Sequence, residues 1–220
     1  MAARSGLDVG VWDLDAGAAE AVAGEVGELG RTGVACTVDV GDTAAVDAAM
    51  AATTASLGPV RYLVNNAGPP STAPLGFDDA VRVCVGSVRA VTEAWLASGA
   101  APDAAVVNVA SIAGNLIATD SDWYTTAKAA IAGYTRYLAV KRADRVRANA
   151  VAPGFVDTPR MRASGFADSE VGRAMIERIP LRRVAAPEDI AGAILFLLSP
   201  LGGYTNGVVL PLDGGGTLAQ

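Results

Sequence analysis

Apolar residues fall along this chain in two alternating textures. Short, nearly continuous apolar runs occur at Leu7–Trp12, Val34–Val38, Val60–Val64, Ala104–Val109, Val146–Val151 and Val208–Leu212. Runs without polar alternation suit parallel strands covered on both faces. Longer segments lie between them at Ala16–Gly30, Thr43–Ser56, Phe77–Ser98, Trp123–Ala143 and Pro187–Leu198, and these read as helices. Asp15 and Asp42 stand where N-caps are expected, and Pro187 opens its helix. The alternation predicts an α/β doubly wound parallel sheet, with right-handed crossovers, in a single domain over residues 1–220. Phe155–Pro180 is less regular and is predicted to form a flap over the carboxyl ends of the strands. Gly24 and Gly27 fall inside the first full helix. Each costs about 0.5–1 kcal/mol relative to Ala, and close packing against the sheet is the expected compensation.

Composition narrows the function. At 220 residues and 51% hydrophobic, the chain can bury one sizeable core. Its net charge of -6 and lack of a basic stripe argue against nucleic-acid or anionic-membrane partners. No stretch approaches the ~20 apolar residues of a membrane span. The longest candidate, Ile190–Leu198, runs into Ser199-Pro200. With no signal pattern and two widely spaced cysteines, Cys36 and Cys84, the expected location is the cytoplasm. The chain has no histidine, which removes Ser-His-Asp and Cys-His catalysis and histidine-bound zinc, and no metal is expected. Proton transfer must use carboxylates, Tyr, Lys or Cys.

One constellation meets that requirement. Tyr124 and Lys128 are four residues apart on a predicted helix, so their side chains share a face. An ammonium there is expected to lower the Tyr pKa from about 10 towards neutrality. Ser111 lies just past the Ala104–Val109 strand, at a carboxyl end where doubly wound sheets bind ligands. Asn65-Asn66-Ala67-Gly68 follows an earlier strand, and Asn149–Pro159 and Asp213-Gly214-Gly215 come later. Together these motifs resemble the short-chain dehydrogenase/reductase family, from about Leu7 to Gly215.

The resemblance implies a Rossmann-like domain and an NAD(P)-dependent interconversion of an alcohol with a ketone or aldehyde. It points to the 3-oxoacyl reductase and hydroxysteroid dehydrogenase branches without choosing between them. It assigns Ser111 to substrate orientation, Tyr124 to general acid/base work, and Lys128 to the tyrosine and the nicotinamide ribose. Asp13 matches the acidic residue on the adenosine ribose, which favours NAD over NADP, although it could simply terminate a strand. Asp39 and Val40 match the adenine contact. Asn66, Ala67 and Gly68 match the segment beside the adenosine ribose. Pro153, Gly154, Val156 and Thr158 match the loop that meets the carboxamide and phosphates. Asn65 reads as structural, and Asp213-Gly214-Gly215 as a turn. Trp123, Asp120, Asp122 and the flap are expected to line the pocket for a small-molecule substrate. Arg160, Arg162, Arg182 and Arg183 are open to two readings, a solvated flap or contacts to an acidic carrier. The resemblance also implies a homodimer or homotetramer paired through the two long helices.

Two departures complicate this. The family pattern opens with a strand, Thr-Gly-x-x-x-Gly-x-Gly and a helix, and here on the order of 20–25 residues of it are not found. The expectation is a fold lacking the first strand and glycine-rich loop. Three resolutions are open: a true start upstream, direct pairing of Leu7–Trp12 with Val60–Val64, or cover by a partner chain. The alternative function is accordingly a cofactor-deficient protein of this fold, serving as a scaffold or as a non-redox proton-transfer enzyme. The second departure is Cys84, where the family usually has an asparagine holding water behind the lysine. A thiol replaces an amide poorly.

Overall fold

The computed structural model describes residues 1–115 and 121–219. It contains six strands: β1 Val9–Asp13, β2 Gly33–Thr37, β3 Tyr62–Asn65, β4 Ala105–Val109, β5 Arg147–Pro153 and β6 Val209–Leu212. The helices are α1 Ala16–Glu28, α2 Thr43–Leu57, α3 Phe77–Ala97, α4 Asp122–Lys141, α5 Pro159–Ala163, α6 Glu170–Arg178 and α7 Pro187–Leu198. Asp15 and Asp42 cap α1 and α2 as their sequence positions predict, accepting from Ala18 N at 3.2 Å and Ala44 N at 2.9 Å.

All strand pairs are parallel, but the strands form two sheets. β1 pairs with β2, and β3, β4, β5 and β6 pair in that order. The expected alternative of direct pairing between Leu7–Trp12 and Val60–Val64 does not occur. The two edges face a shared cavity of about 810 Å³ lined by Val9–Asp13 and Tyr62–Asn65. The halves are joined by side-chain packing: Trp12 and Leu63 both pack with residues of α2 and α3. The indole of Trp12 also donates to Thr53 Oγ1 at 2.9 Å.

The continuous apolar runs have the expected cause. Along β4, Val106 packs with Met50, Trp95, Leu96 and Leu138 of α2, α3 and α4. Its neighbours Ala105 and Val107 pack with Ile190, Leu197 and Leu198 of α7. Successive residues therefore serve opposite faces, and both faces are covered by helices. The Arg147 guanidinium donates to the Leu197 and Leu198 carbonyls at 2.8 and 3.0 Å. A cation thus satisfies the orphan acceptors at the end of α7.

The expectation for Gly24 and Gly27 is corrected. A Cβ at either would meet nothing within 4 Å. The glycine that brings α1 close to the sheet is Gly33, where a Cβ would stand 2.2 Å from the Ala23 carbonyl oxygen. A strand glycine marks close backbone approach, whereas a helix glycine on an exposed face does not.

Candidate active site

The carboxyl ends of β1, β3, β4 and β5 carry the sequence-predicted residues. Asp13 ends β1, Asn66 follows β3, Ser111 follows β4, and Pro153 ends β5. This follows from the fold, because each parallel strand delivers its last residues to the same edge.

The catalytic candidates are held by short, local devices. Ser111 caps a 3-10 turn at Ile112–Gly114, accepting from Ala113 N at 3.2 Å. A Cβ on Gly114 would lie 2.7 Å from the Lys128 carbonyl carbon, so this turn rests directly on the α4 backbone. Ser121 caps α4 and accepts from Tyr124 N at 3.3 Å, which places Tyr124 in the first helical turn. The result sets the Ser111 hydroxyl close enough to Tyr124 to act on its titration. Lys128 Nζ donates to the Val109 carbonyl at 2.9 Å and lies 5.6 Å from the centroid of the Tyr124 ring.

The electrostatics correct one expectation. Burial pushes the Tyr124 hydroxyl above its usual pKa, and repulsion from Cys84 adds to this. The Ser111 hydrogen bond and the Arg160 charge pull it down by less. The Lys128 ammonium, 5.6 Å from the ring centroid, does not reverse this rise. Burial also pushes the pKa of Lys128 itself down, with Cys84 opposing. Cys84 is 7% exposed on α3, and burial raises its pKa while Lys128 pulls it down. The thiol therefore does stand near the lysine.

The cofactor candidates divide into two groups. Asp13, Val40, Asn66 and Ala67 line the 810 Å³ cavity between the sheets. Asp39 and Gly68 are exposed and stand outside that lining, and the Asp39 carboxylate accepts from Gly41 N at 2.8 Å. The second group adjoins Ser111: a Cβ on Gly154 would sit 3.6 Å from Ile112 Cδ1 and 3.0 Å from Asp213 Cβ. Val156 bridges to Ala185, and Thr158 caps α5 by accepting from Met161 N at 3.2 Å. Lys128, with three N–H donors and one of them on Val109, fits a group presenting hydroxyl acceptors.

The geometry bears on several other expectations. Trp123 is 5% exposed and packs with Ala80, Cys84 and Ala127, so it belongs to the α3–α4 core rather than the pocket wall. Asp122 is exposed and accepts from Trp123 N. Asp120 lies outside the described residues. Asp213 accepts from Gly215 N at 3.1 Å and Thr217 N at 2.7 Å, and Gly214 and Gly215 have positive φ, as a turn requires. Arg162 and Arg183 pair with Asp157 and Asp189.

Sequence reading missed two supports. Gly114 is one, and the only signal for it is its place between Ser111 and the helix. The other is a buried polar relay. Asn65 Nδ2 donates to Asn108 Oδ1 at 2.8 Å and to Thr92 Oγ1 at 3.0 Å, and Asn108 Nδ2 donates to Thr135 Oγ1 at 2.9 Å. It ties β3 and β4 to α3 and α4 directly behind the site. Asn65 is therefore structural, as its sequence context suggests. Among the described residues, no group of three or more Cys, Asp or Glu could hold a metal ion, and no helix is long and apolar enough to cross a membrane.

The fold and this site define a class. Residues 1–217 match the family model described as enoyl-(acyl carrier protein) reductase, and the chain belongs to the short-chain dehydrogenase/reductase family. It is 37% identical to the inactive 2-(S)-hydroxypropyl-CoM dehydrogenase 2 of Xanthobacter autotrophicus, over 98% of this chain and 97% of that protein. It is 36% identical to cis-4-hydroxycyclohexanecarboxylate dehydrogenase of Sinomonas cyclohexanicum, over 99% of this chain and 89% of that one. Among solved structures, 7α-hydroxysteroid dehydrogenase complexed with NADH and 7-oxoglycochenodeoxycholic acid superposes with a TM-score of 0.89 at 29% identity. That match covers 97% of this chain and 86% of the other.

Proposed function

We propose that this chain is an oxidoreductase that interconverts a secondary alcohol and a ketone, with Tyr124 as general acid/base. The observation that carries this is the gathering of three groups at one strand end: Ser111 acts on the Tyr124 hydroxyl, and the Lys128 ammonium, held on the Val109 carbonyl, lies 5.6 Å from the Tyr124 ring centroid. Solved relatives contain NADH, NADPH or NADP, and a bound nicotinamide supplies the hydride exchange at the substrate carbon. Lys128 and the Pro153–Thr158 loop would hold its nicotinamide half, and Asp13, Asn66 and Ala67 its adenosine half. The Asp13 carboxylate suits two ribose hydroxyls and repels a 2′-phosphate, so NAD is the proposed form.

This chain's residues then divide the work. Ser111 donates to the substrate oxygen and steadies its developing charge. Tyr124 gives that oxygen its proton in reduction and takes it in oxidation. Its raised pKa keeps it protonated at neutral pH, ready as the acid. The charge of Arg160 acts on Tyr124 from a distance and favours the phenolate, by less than burial opposes it. Helix α4 leaves Tyr137 and Val140 exposed at 49% and 72%, which supports pairing of two copies through this helix.

A second reading has its own support. The sheet is divided between β1 and β3, and one relative is described as inactive. On that reading the chain keeps the fold but binds no cofactor. Calorimetric titration of the whole chain with NADH separates the two. Saturable binding that weakens in Lys128→Ala supports the oxidoreductase. Absence of heat at millimolar NADH supports the second reading.

A further inference from the structure

The segment Phe155–Ala185 is positive on a negative chain. It carries six arginines and four carboxylates, while the whole chain has a net charge of -6. Four of these arginines are already engaged. Arg162 pairs with Asp157 at 2.8 Å and Arg183 with Asp189 at 2.6 Å. Arg173 donates to the Asp168 carbonyl and Arg182 to the Glu177 carbonyl. Among the described residues Arg160 and Arg178 make no ion pair. Of the two, Arg160 is the one whose charge is felt at the Tyr124 hydroxyl.

Local structure puts Arg160 there. The loop after β5 starts beside the Ser111 turn, where a Cβ on Gly154 would stand 3.6 Å from Ile112 Cδ1. The loop is then pinned. Ala185 N donates to the Phe155 carbonyl at 2.9 Å, and Asp157 N to the Ala185 carbonyl at 2.8 Å. The Phe155 and Phe166 rings, 5.1 Å apart, tie the loop to the chain beyond α5. Thr158 caps α5, so Arg160 is the second residue of the helix. Arg162 lies about 200° further round the helix, and its guanidinium turns back to Asp157. Arg160 therefore leaves α5 from a different side, exposed and without an ion pair.

We propose that Arg160 binds a carboxylate carried by the alcohol or ketone substrate, which makes the substrates hydroxy acids and oxo acids. The inference rests on the oxidoreductase reading above and names its substrate class. Left alone, the guanidinium opposes reduction, which needs Tyr124 protonated, because a nearby cation favours the phenolate. A substrate carboxylate cancels that field as it binds. The net negative charge of the chain repels an anion at long range, so an acidic substrate needs a local cation to hold it. A guanidinium offers a planar fork of N–H donors that matches the two oxygens of a carboxylate. The reacting oxygen belongs to Ser111 and Tyr124, so the carboxylate sits on a carbon removed from the reacting one.

The probes are levulinate and its homologues with one and two further methylenes, each beside its methyl ester, reduced by the whole chain with NADH. Acid and ester share one carbon skeleton, and only the acid is charged. The readout is the acid-to-ester ratio of kcat/KM. Whatever Arg160 does through Tyr124 acts on acid and ester alike and leaves that ratio alone. The expected result is a preference for the acid at one or more chain lengths. That preference falls about tenfold or more in Arg160→Gln, the worth of one hydrogen bond to a charged group, and returns in part in Arg160→Lys. Calorimetric binding of the preferred acid to the NADH-loaded chain weakens in step. The proposal is overturned if the esters are preferred, or if Arg160→Gln leaves the ratio unchanged. Weaker NADH binding in Arg160→Gln at an unchanged ratio also overturns it, and assigns the guanidinium to the cofactor's phosphates. These results leave the oxidoreductase reading standing. A chain that binds NADH but reduces none of the probes overturns the substrate class. A chain that binds no NADH overturns the oxidoreductase reading itself, and this inference with it.

Discussion

The Nζ of Lys128 lies 2.9 Å from the carbonyl oxygen of Val109, the last residue of β4. The strand that delivers Ser111 therefore also anchors the lysine, and the lysine sits one helical turn from Tyr124. Serine, tyrosine and lysine are fixed to one another through a single strand end and a single helix start. Disturbing that junction should affect all three together.

Gly114 is where the junction is tightest. A Cβ there would fall 2.7 Å from backbone carbon of Lys128, which has no flexible end to move. Gly114→Ala should lower stability by about 1–3 kcal/mol, the usual range for overpacking. Urea denaturation checks this, and turnover should fall further than the stability loss alone explains.

Behind the site, Asn108 both accepts from Asn65 and donates to Thr135 in full burial. Asn108→Ala should cost about 1–3 kcal/mol for each partner left unmet. Asn108→Asp keeps the acceptor and loses the donor to Thr135, so its loss should also include the penalty of a buried charge. Denaturation midpoints at neutral pH measure both.

Much of this was legible in the sequence, and what was not has physical reasons. Strands and helices came from apolar runs and caps, and Pro187 marks the start of α7 to the residue. Ser111, Tyr124 and Lys128 carry a spacing that geometry then explains. The tyrosine's raised pKa was not legible, because it depends on how deeply the fold buries the phenol. Trp123 was misplaced because an aromatic beside a tyrosine looks the same whether it faces pocket or core. The role of Gly33 against Gly24 and Gly27 depends on which backbone passes nearby, which composition does not encode.

Tyr134 gives a pH signature on the α3–α4 face. Burial pushes its hydroxyl up to about 12, with Glu93 adding to this and Arg89 and Arg142 opposing. The folded state then holds this proton more tightly than the unfolded chain, whose tyrosine titrates near 10. Stability from this source is intact below pH 10 and is lost as pH rises towards about 12. The hydroxyl is buried without a hydrogen-bond partner. Tyr134→Phe should therefore leave stability at neutral pH unchanged or slightly raised, and should flatten the alkaline loss. Thermal melts across pH 9 to 12 test this.

Cys84 stands against Lys128 with its thiol held protonated by burial. A thiol is a weak donor and acceptor, so it supports proton exchange behind the lysine poorly. Cys84→Asn should speed proton exchange and change the pH dependence of turnover, with little effect on substrate KM. An unchanged pH profile would remove Cys84 from the proton path.

The central claim is that Tyr124 exchanges the proton of a secondary alcohol or its ketone. The direct measurement is NADH-dependent reduction of a panel of cyclic ketones by the full chain and by Tyr124→Phe, which keeps the ring and its 5.6 Å packing on Trp123. The account predicts that kcat falls by about 10²–10⁴-fold, the usual worth of a general acid, with NADH binding retained. Equal turnover in the two proteins would contradict it.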